Sequence, residues 1–439
     1  MPHRRLLSIA LLVAAAVAGS FALASCGSGN GRGEKVMDAR SFESSVLYEF
    51  TMAASNQGET TLVWVQDGQL ETSDLPPNSW SWSKPEVVAS SIFAGGQVPA
   101  PVAAAYDSSG RLLVAWTTLI GNVHERRHPG IGIMERLRAA NGKWQPARLI
   151  AQLPKKGVQD VGAAGLTLAG GKNGFALGWY EYIGVGNPNV SGFRILQGEK
   201  WLPPVVVGAE GSPVQVELFD KGQPQALWTL PIEKKLMYAS LRPDGKLGKP
   251  RVLADADSFL TASSDSNQTV AAWSYKNETW ASVWNGHRWA SPKRLGNNAS
   301  SIGDFSPITA AIVGGRSVVA WRTGDFSGGA SYSLWQKGGW RKGSRSFPIS
   351  GSFGPEDLEA FAFPSGEITL VGINSYTLEA IHLSPSGRTK ITQISIKPRN
   401  GTNILGSASG GDAAALVWET DLGWNPGEDQ HLFAWVYRR

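Results

Sequence analysis

One apolar segment ending in tryptophan recurs along the whole chain, and it constrains the fold more than any other feature. The copies are Leu62-Val63-Trp64, Val114-Ala115-Trp116, Leu177-Gly178-Trp179, Ala226-Leu227-Trp228, Ala271-Ala272-Trp273, Val319-Ala320-Trp321 and Leu416-Val417-Trp418. A further copy, Val371-Gly372-Ile373, keeps the pattern with isoleucine in the last place. Successive anchors are 52, 63, 49, 45, 48, 52 and 45 residues apart. Self-similarity at roughly 40 to 50 residues marks a propeller or solenoid, in which each unit buries its apolar face only against its neighbours.

The sixth copy shows the unit most clearly. Pro307–Val313 reads as a strand turned at Gly314-Gly315, and Ser317–Trp321 as a second. Ser331–Trp335 is a third, turned at Lys337-Gly338-Gly339, and Trp340 opens a fourth. Short β-rich runs joined by glycine turns are antiparallel hairpins, and four strands per unit make the blade of a β-propeller. First strands are rich in small residues (Ala103-Ala104-Ala105, Ala163-Ala164-Gly165, Thr309-Ala310-Ala311, Ser407-Ala408-Ser409), as crowding around an axis requires. The second-strand tryptophan is expected between neighbouring sheets, where its area dominates packing.

A second tryptophan follows in the hairpin joining strands three and four: Trp82, Trp144, Trp201, Trp289 and Trp340. Asn141-Gly142-Lys143-Trp144 and Asn285-Gly286-His287-Arg288-Trp289 are typical settings, while Arg242-Pro243-Asp244-Gly245-Lys246 keeps Asp and Gly without the tryptophan. These hairpins resemble a degenerate form of the Asp-box of sialidase-type propellers, Ser-x-Asp-x-Gly-x-Thr-Trp. The resemblance implies an all-β propeller and carries over no active site.

The eighth unit supplies strands around Asp412–Trp418 and His431–Tyr437, and no fourth strand follows. An unpaired sheet edge invites association with other chains. Glu34–Ala39, ahead of the first unit, can fill the gap. The expectation is eight blades of four antiparallel strands, the last completed by the N-terminal segment, with seven blades as the alternative.

The N-terminus carries a different signal. Arg4 and Arg5 precede an apolar run from Leu6 to Ala24, the layout of a secretory signal peptide. The run ends in Leu23-Ala24-Ser25-Cys26-Gly27, which resembles the lipobox of bacterial lipoproteins. The resemblance implies cleavage before Cys26, lipidation of that thiol and an extracytoplasmic protein held on a membrane. Cys26 is the only cysteine, so no disulfide can form within one chain. The expected organisation is a signal peptide over 1–25, a flexible glycine-rich tether over 26–33 and one propeller domain over 34–439. Loss of Arg4 and Arg5 lowers the formal charge from +5 to +3, a balance that argues against nucleic acid as a partner.

Candidate chemistry is sparse. His124-Glu125-Arg126-Arg127-His128 matches the HExxH pattern of zincins, in which two histidines on one helical face bind zinc. Gly121-Asn122 before it and Pro129-Gly130 after it leave too little chain for that helix. A solvated loop is expected, with His124 and His128 as weak metal ligands, and no cofactor is implied. Loops between strands two and three share one face with those joining blades. They offer Tyr180, Glu181, Tyr182, Arg322, Asp325, Glu419, Asp421, Glu428 and Asp429. Asp160, Glu210, Asp257, Asp304 and Asp357 stand near first strands and could ring the channel mouth, although aspartates also cap turn amides. Trp424 lies outside the strand frame and is the leading candidate for ligand contact, with Tyr180, Glu181, Arg322 and Asp325 beside it. A sialidase also needs three clustered arginines; Arg126, Arg194 and Arg322 are available, but the Arg-Ile-Pro pattern is absent. These features fit a binding module for a protein or glycan, with a sialidase-like carbohydrate-active enzyme or an envelope assembly scaffold as alternatives.

Overall fold

The computed structural model describes residues 34–42, 47–90, 92, 101–120, 130–152, 165–172, 174–181, 190–208, 214–218, 224–230, 232–242, 244–257, 260–265, 267–297, 308–323, 329–341, 345–347, 357–373, 377–395, 402–420 and 430–439. Every regular element among them is a β-strand, and the strands form eight antiparallel sheets. Seven sheets run in chain order as blades 1 to 7, covering 47–90, 102–152, 165–208, 215–255, 260–297, 308–347 and 357–395. The first strand of each blade touches the first strand of both neighbours, and those of blades 8 and 1 also meet, so the ring closes.

Blade 8 contains Thr402–Gly410, Ala413–Thr420 and Gln430–Arg438, and its fourth strand is Glu34–Phe42. The pairing runs antiparallel from Glu34 against Tyr437 to Phe42 against Gln430, with one register shift between Asp38 and Arg40. Eight blades and N-terminal closure follow the sequence expectation. In blade 6 the fourth strand is split into Gly339–Trp340 and Arg345–Phe347, both paired with Ala330–Gln336. Of Ala163-Ala164-Gly165, Gly165 opens the first strand of blade 3, and the two alanines lie outside the described residues.

All seven repeat tryptophans are buried and pack back onto the preceding blade. Trp64 meets Ala415, Val417 and Leu432 of blade 8; Trp179 meets Ile133 and Ile150 of blade 2; Trp418 meets Phe361 and Val371 of blade 7. Two indoles also find a backbone acceptor there. Nε1 of Trp273 donates to the Asp255 carbonyl at 2.9 Å, and Nε1 of Trp321 to the Asn297 carbonyl at 3.0 Å. Each carbonyl ends the fourth strand of the preceding blade, which satisfies a buried donor that would otherwise cost stability. Between blades 6 and 7 the packing is aliphatic apart from Tyr332, with Val318, Ala320 and Tyr332 against Leu358, Leu370 and Ile381. Ile373, which replaces tryptophan, has its backbone in Ile368–Ile373.

The hairpin tryptophans use a different device. The guanidinium of Arg136 lies 5.6 Å from the Trp144 ring, and that of Arg194 lies 5.9 Å from the Trp201 ring. Arg136 donates to the Gln145 carbonyl in its own blade and to the Val88 carbonyl in blade 1. Arg194 does the same with Leu202 and with Ile150 of blade 2. Each arginine thus ties a turn to the neighbouring blade. Side chains cap the turns of these hairpins: Oδ1 of Asn285 accepts the amides of His287 and Arg288, and Oδ1 of Asp244 accepts that of Lys246. Around the axis the blades approach so closely that a Cβ on Gly170 would lie 1.9 Å from the Tyr106 carbonyl oxygen. A Cβ on Gly410 would lie 2.3 Å from that of Ser55.

Candidate functional site

Antiparallel order within each blade places the turns between strands one and two, and between strands three and four, on one face of the ring. The longer connections lie on the other. Most sequence candidates lie outside the described residues: His124, His128, Tyr182, Asp325, Asp421, Trp424, Glu428 and Asp429, together with Asp160, Glu210 and Asp304. Tyr180 and Glu181 are in the second strand of blade 3, and Arg322 is in that of blade 6, three blades away. The Tyr180 ring lies over Gly165, where a Cβ would meet Cε1 at 1.9 Å, so this tyrosine packs within its own sheet. Arg322 is half-buried, and its Nε has no hydrogen-bond partner among the described residues. Arg194, offered for a carboxylate clamp, is instead committed to the two carbonyls named above.

Asp257 resolves in favour of turn chemistry. Its Oδ2 accepts the amide of Lys276 at 2.8 Å, in the turn joining strands two and three of blade 5. The long-loop end does hold one carboxyl that sequence reasoning passed over. Glu49 stands near the start of Leu47–Ala54, the innermost strand of blade 1, and burial pushes its carboxyl up to about 7. A perturbed carboxyl near a channel mouth is a functional candidate on physical grounds. In sequence it is one glutamate in an apolar strand, and only the fold reveals its burial.

Other buried charges are structural pairs. Arg138, at the end of the third strand of blade 2, reaches Asp74 at 2.6 Å, Glu59 at 3.2 Å and the Tyr106 hydroxyl at 2.6 Å, joining blades 1 and 2. Arg148 pairs with buried Glu135 at 2.7 Å. Burial pushes the Glu135 carboxyl up, and Arg148 opposes it. At the other seam, His382 of blade 7 lies 3.0 Å from Glu34 and 3.6 Å from Glu367, whose Oε1 accepts the Tyr437 hydroxyl at 2.9 Å.

The described surface also holds a pocket of about 430 Å³ on the hairpin face, where blades 7, 8 and 1 meet. Its wall comes from four turns: Asn56-Gln57-Gly58, Pro77-Asn78 with Trp80, Pro364, and Gly411-Asp412, beside Arg438 and Arg439. The amides of Asn56, Gln57 and Asn78 are exposed, and the Trp80 ring is half-buried. Nη2 of Arg438 donates to the carbonyls of Pro76 and Ser79, both at 3.0 Å, which fixes the tryptophan-bearing turn of blade 1 against blade 8. The Arg438 guanidinium lies 5.6 Å from the Trp80 ring, and the Lys35 ammonium lies 5.7 Å from it. Gly411 has φ +53°, and a Cβ there would lie 2.6 Å from the Asn56 carbonyl oxygen, so glycine lets the two hairpins meet at the pocket floor. The sequence signal was weak, because five short segments scattered from residue 56 to residue 439 build one site. Among the described residues no group of three or more His, Cys, Asp or Glu could hold a metal.

No family model matches the chain, and no curated protein matches its sequence. Solved structures of low similarity include the alpha-L-arabinanase of Penicillium chrysogenum complexed with arabinobiose, at 9% identity over 92% of this chain and 98% of that one, with a TM-score of 0.41. The NanB sialidase of Streptococcus pneumoniae matches at 11% identity over 93% and 95%, with a TM-score of 0.40. A variant of the Aleuria aurantia lectin in complex with Fucalpha1-6GlcNAc matches at 10% identity over 82% and 98%, with a TM-score of 0.39.

Proposed function

We propose that the chain is an extracytoplasmic propeller, anchored to a membrane through lipidated Cys26, that works as a binding module for a protein or glycan. The pocket between blades 7, 8 and 1 is the observation that carries this reading. Its volume of about 430 Å³ lies within the range of small-molecule and sugar sites. Its lining pairs an indole with amide groups and guanidinium groups. Amides and guanidinium groups match hydroxyl and carboxylate oxygens, and an indole offers an apolar face to a sugar ring or side chain. Hydrolysis of a glycoside generally needs two carboxylates at a set separation; of the lining residues only Asp412 is acidic.

Binding to a glycan array and to envelope proteins tests the reading, with wild type compared against Trp80→Ala, Asn78→Ala and Trp424→Ala. Loss with the first two assigns the ligand to the seam pocket, and loss with Trp424→Ala assigns it to the segment that carries Trp424. Mass spectrometry of the peptide that begins at Cys26 tests the anchor. An unmodified cysteine within an uncleaved leader would contradict it.

A further inference from the structure

The turns joining strands three and four stand at the rim of the hairpin face, and their charge is one-sided. Among the described residues of these seven turns there are ten lysines and arginines against two carboxylates, Glu199 and Asp244. The excess of eight positive charges is larger than the formal +5 of the whole chain, so the remainder of the molecule is net negative. Every turn contributes at least one base, and nine of the ten side chains are exposed, Arg341 being half-buried. Only Lys246 has a carboxylate within ion-pair distance among the described residues, Asp244 at 3.7 Å. Packing of the blades does not explain this rim, because its charges point into solvent.

The start of the closing strand supplies a second, independent observation. Glu34 pairs with Tyr437 and Phe42 with Gln430, so Glu34–Phe42 begins at the hairpin face and ends at the long-loop face. Residues before Glu34 therefore join the ring on its basic side. From Cys26 to Glu34 the chain reaches about 27 Å when fully extended, whereas the long-loop face lies a further strand length away, about 30 Å for nine residues.

We propose that the basic rim turns the hairpin face of the propeller toward an anionic lipid surface, with the seam pocket opening into the gap that the tether spans and the long-loop face turned away from the membrane. The proposal rests on the anchored reading for the position of the tether; the basic rim itself does not depend on it. Clustered bases beside a membrane attachment add electrostatic attraction to anionic headgroups, and this attraction falls off within a Debye length. A tether of this reach lets the rim come within that range.

The test uses the chain from residue 26 onward with Cys26→Ser, which carries no lipid, so that failure of the basic face and failure of the anchor are read separately. Co-sedimentation is measured with vesicles of phosphatidylcholine alone and with vesicles that also contain phosphatidylglycerol. Binding is expected only with phosphatidylglycerol, and it should disappear as salt rises from about 0.1 M to about 1 M, which shortens the Debye length from about 10 Å to about 3 Å. Lys246→Glu, Lys249→Glu, Lys337→Glu and Arg388→Glu combined should abolish it. Lys249→Ala and Arg388→Ala, each expected to weaken binding about fivefold, keep the test intact if the combined variant does not fold. Lys276→Glu, in a turn on the opposite face, should change nothing. Equal binding to both vesicle types, no binding to either at low salt, or binding that survives the rim substitutions would overturn the proposal.

Discussion

Oε1 of Glu34 lies 3.0 Å from Nε2 of His382, so the N-terminal strand is held to blade 7 as well as to its own blade 8. Thr392 donates to the same oxygen at 2.8 Å. The ring is therefore sealed by a side-chain clamp in addition to backbone pairing. Glu34→Gln is expected to lower stability by about 1–3 kcal/mol, the scale of a hydrogen bond to a charged group. Deleting residues 33–45 should lower the melting temperature far more, because it strips the outer partner from Gln430–Arg438. An unchanged melt after that deletion would contradict N-terminal closure.

The same cluster predicts a pH window. Burial pulls the His382 imidazolium down, but hydrogen bonds to Glu34 and Glu367 outweigh it and hold the group above its ordinary 6.5. Its contribution is complete below 6.5 and is lost as pH rises through the raised folded value. Burial pushes Glu34 and Glu367 up, while hydrogen bonds from His382, joined by Thr392 and Tyr437, hold both below the ordinary 4.5. Their contribution is complete above 4.5 and fades as pH falls through the lowered folded value. Thermal melts across pH should show a plateau with losses on both sides, and His382→Gln should flatten the alkaline limb.

The two tryptophan classes should respond differently to phenylalanine. Trp321→Phe removes the donor to the Asn297 carbonyl and opens space at the junction of blades 5 and 6, so a loss of about 2 kcal/mol is expected. Trp340 has no hydrogen-bond partner for its Nε1 among the described residues, and a phenylalanine keeps the edge contact with Trp335. Trp340→Phe should cost under about 1 kcal/mol. Denaturant melts of the two variants provide the comparison, and equal losses would refute the distinction.

Arg138 carries the junction of blades 1 and 2. Its side chain is 7% exposed, while those of Asp74 and Glu59 are 23% and 33% exposed. Arg138→Met should destabilise the fold by about 3 kcal/mol, the lower end for breaking a buried pair, because its partners keep some water. Chemical denaturation checks this, and a loss below about 1 kcal/mol would show that the network adds nothing to the apolar packing.

The repeat made the ring legible because strand period, glycine turns and a missing fourth strand are local patterns. Trp64 to Trp418 could be placed in second strands from spacing alone. The ionic clamps could not, since Arg138 and Asp74 are 64 residues apart and Glu34 and His382 are 348 apart. Nothing in the neighbouring sequence marks them as partners. The seam pocket was hidden for the same reason. Asp257 shows the opposite case: local turn chemistry, which aspartates favour, accounts for its carboxylate without a ring of acids. Glu49, near the mouth of blade 1, gives no sign in sequence that its carboxyl is buried.

The most direct measurement of the central claim is ligand binding by the chain from residue 26 onward on a glycan array and against envelope proteins, with Trp80→Ala and Asn78→Ala run beside wild type. The account predicts a saturable ligand whose binding falls at least tenfold in both variants, about 1.4 kcal/mol or more, at a temperature where melts show both variants still folded. A ligand bound equally by wild type and both variants would contradict the seam pocket as the site. No saturable ligand in either assay would contradict the binding module itself.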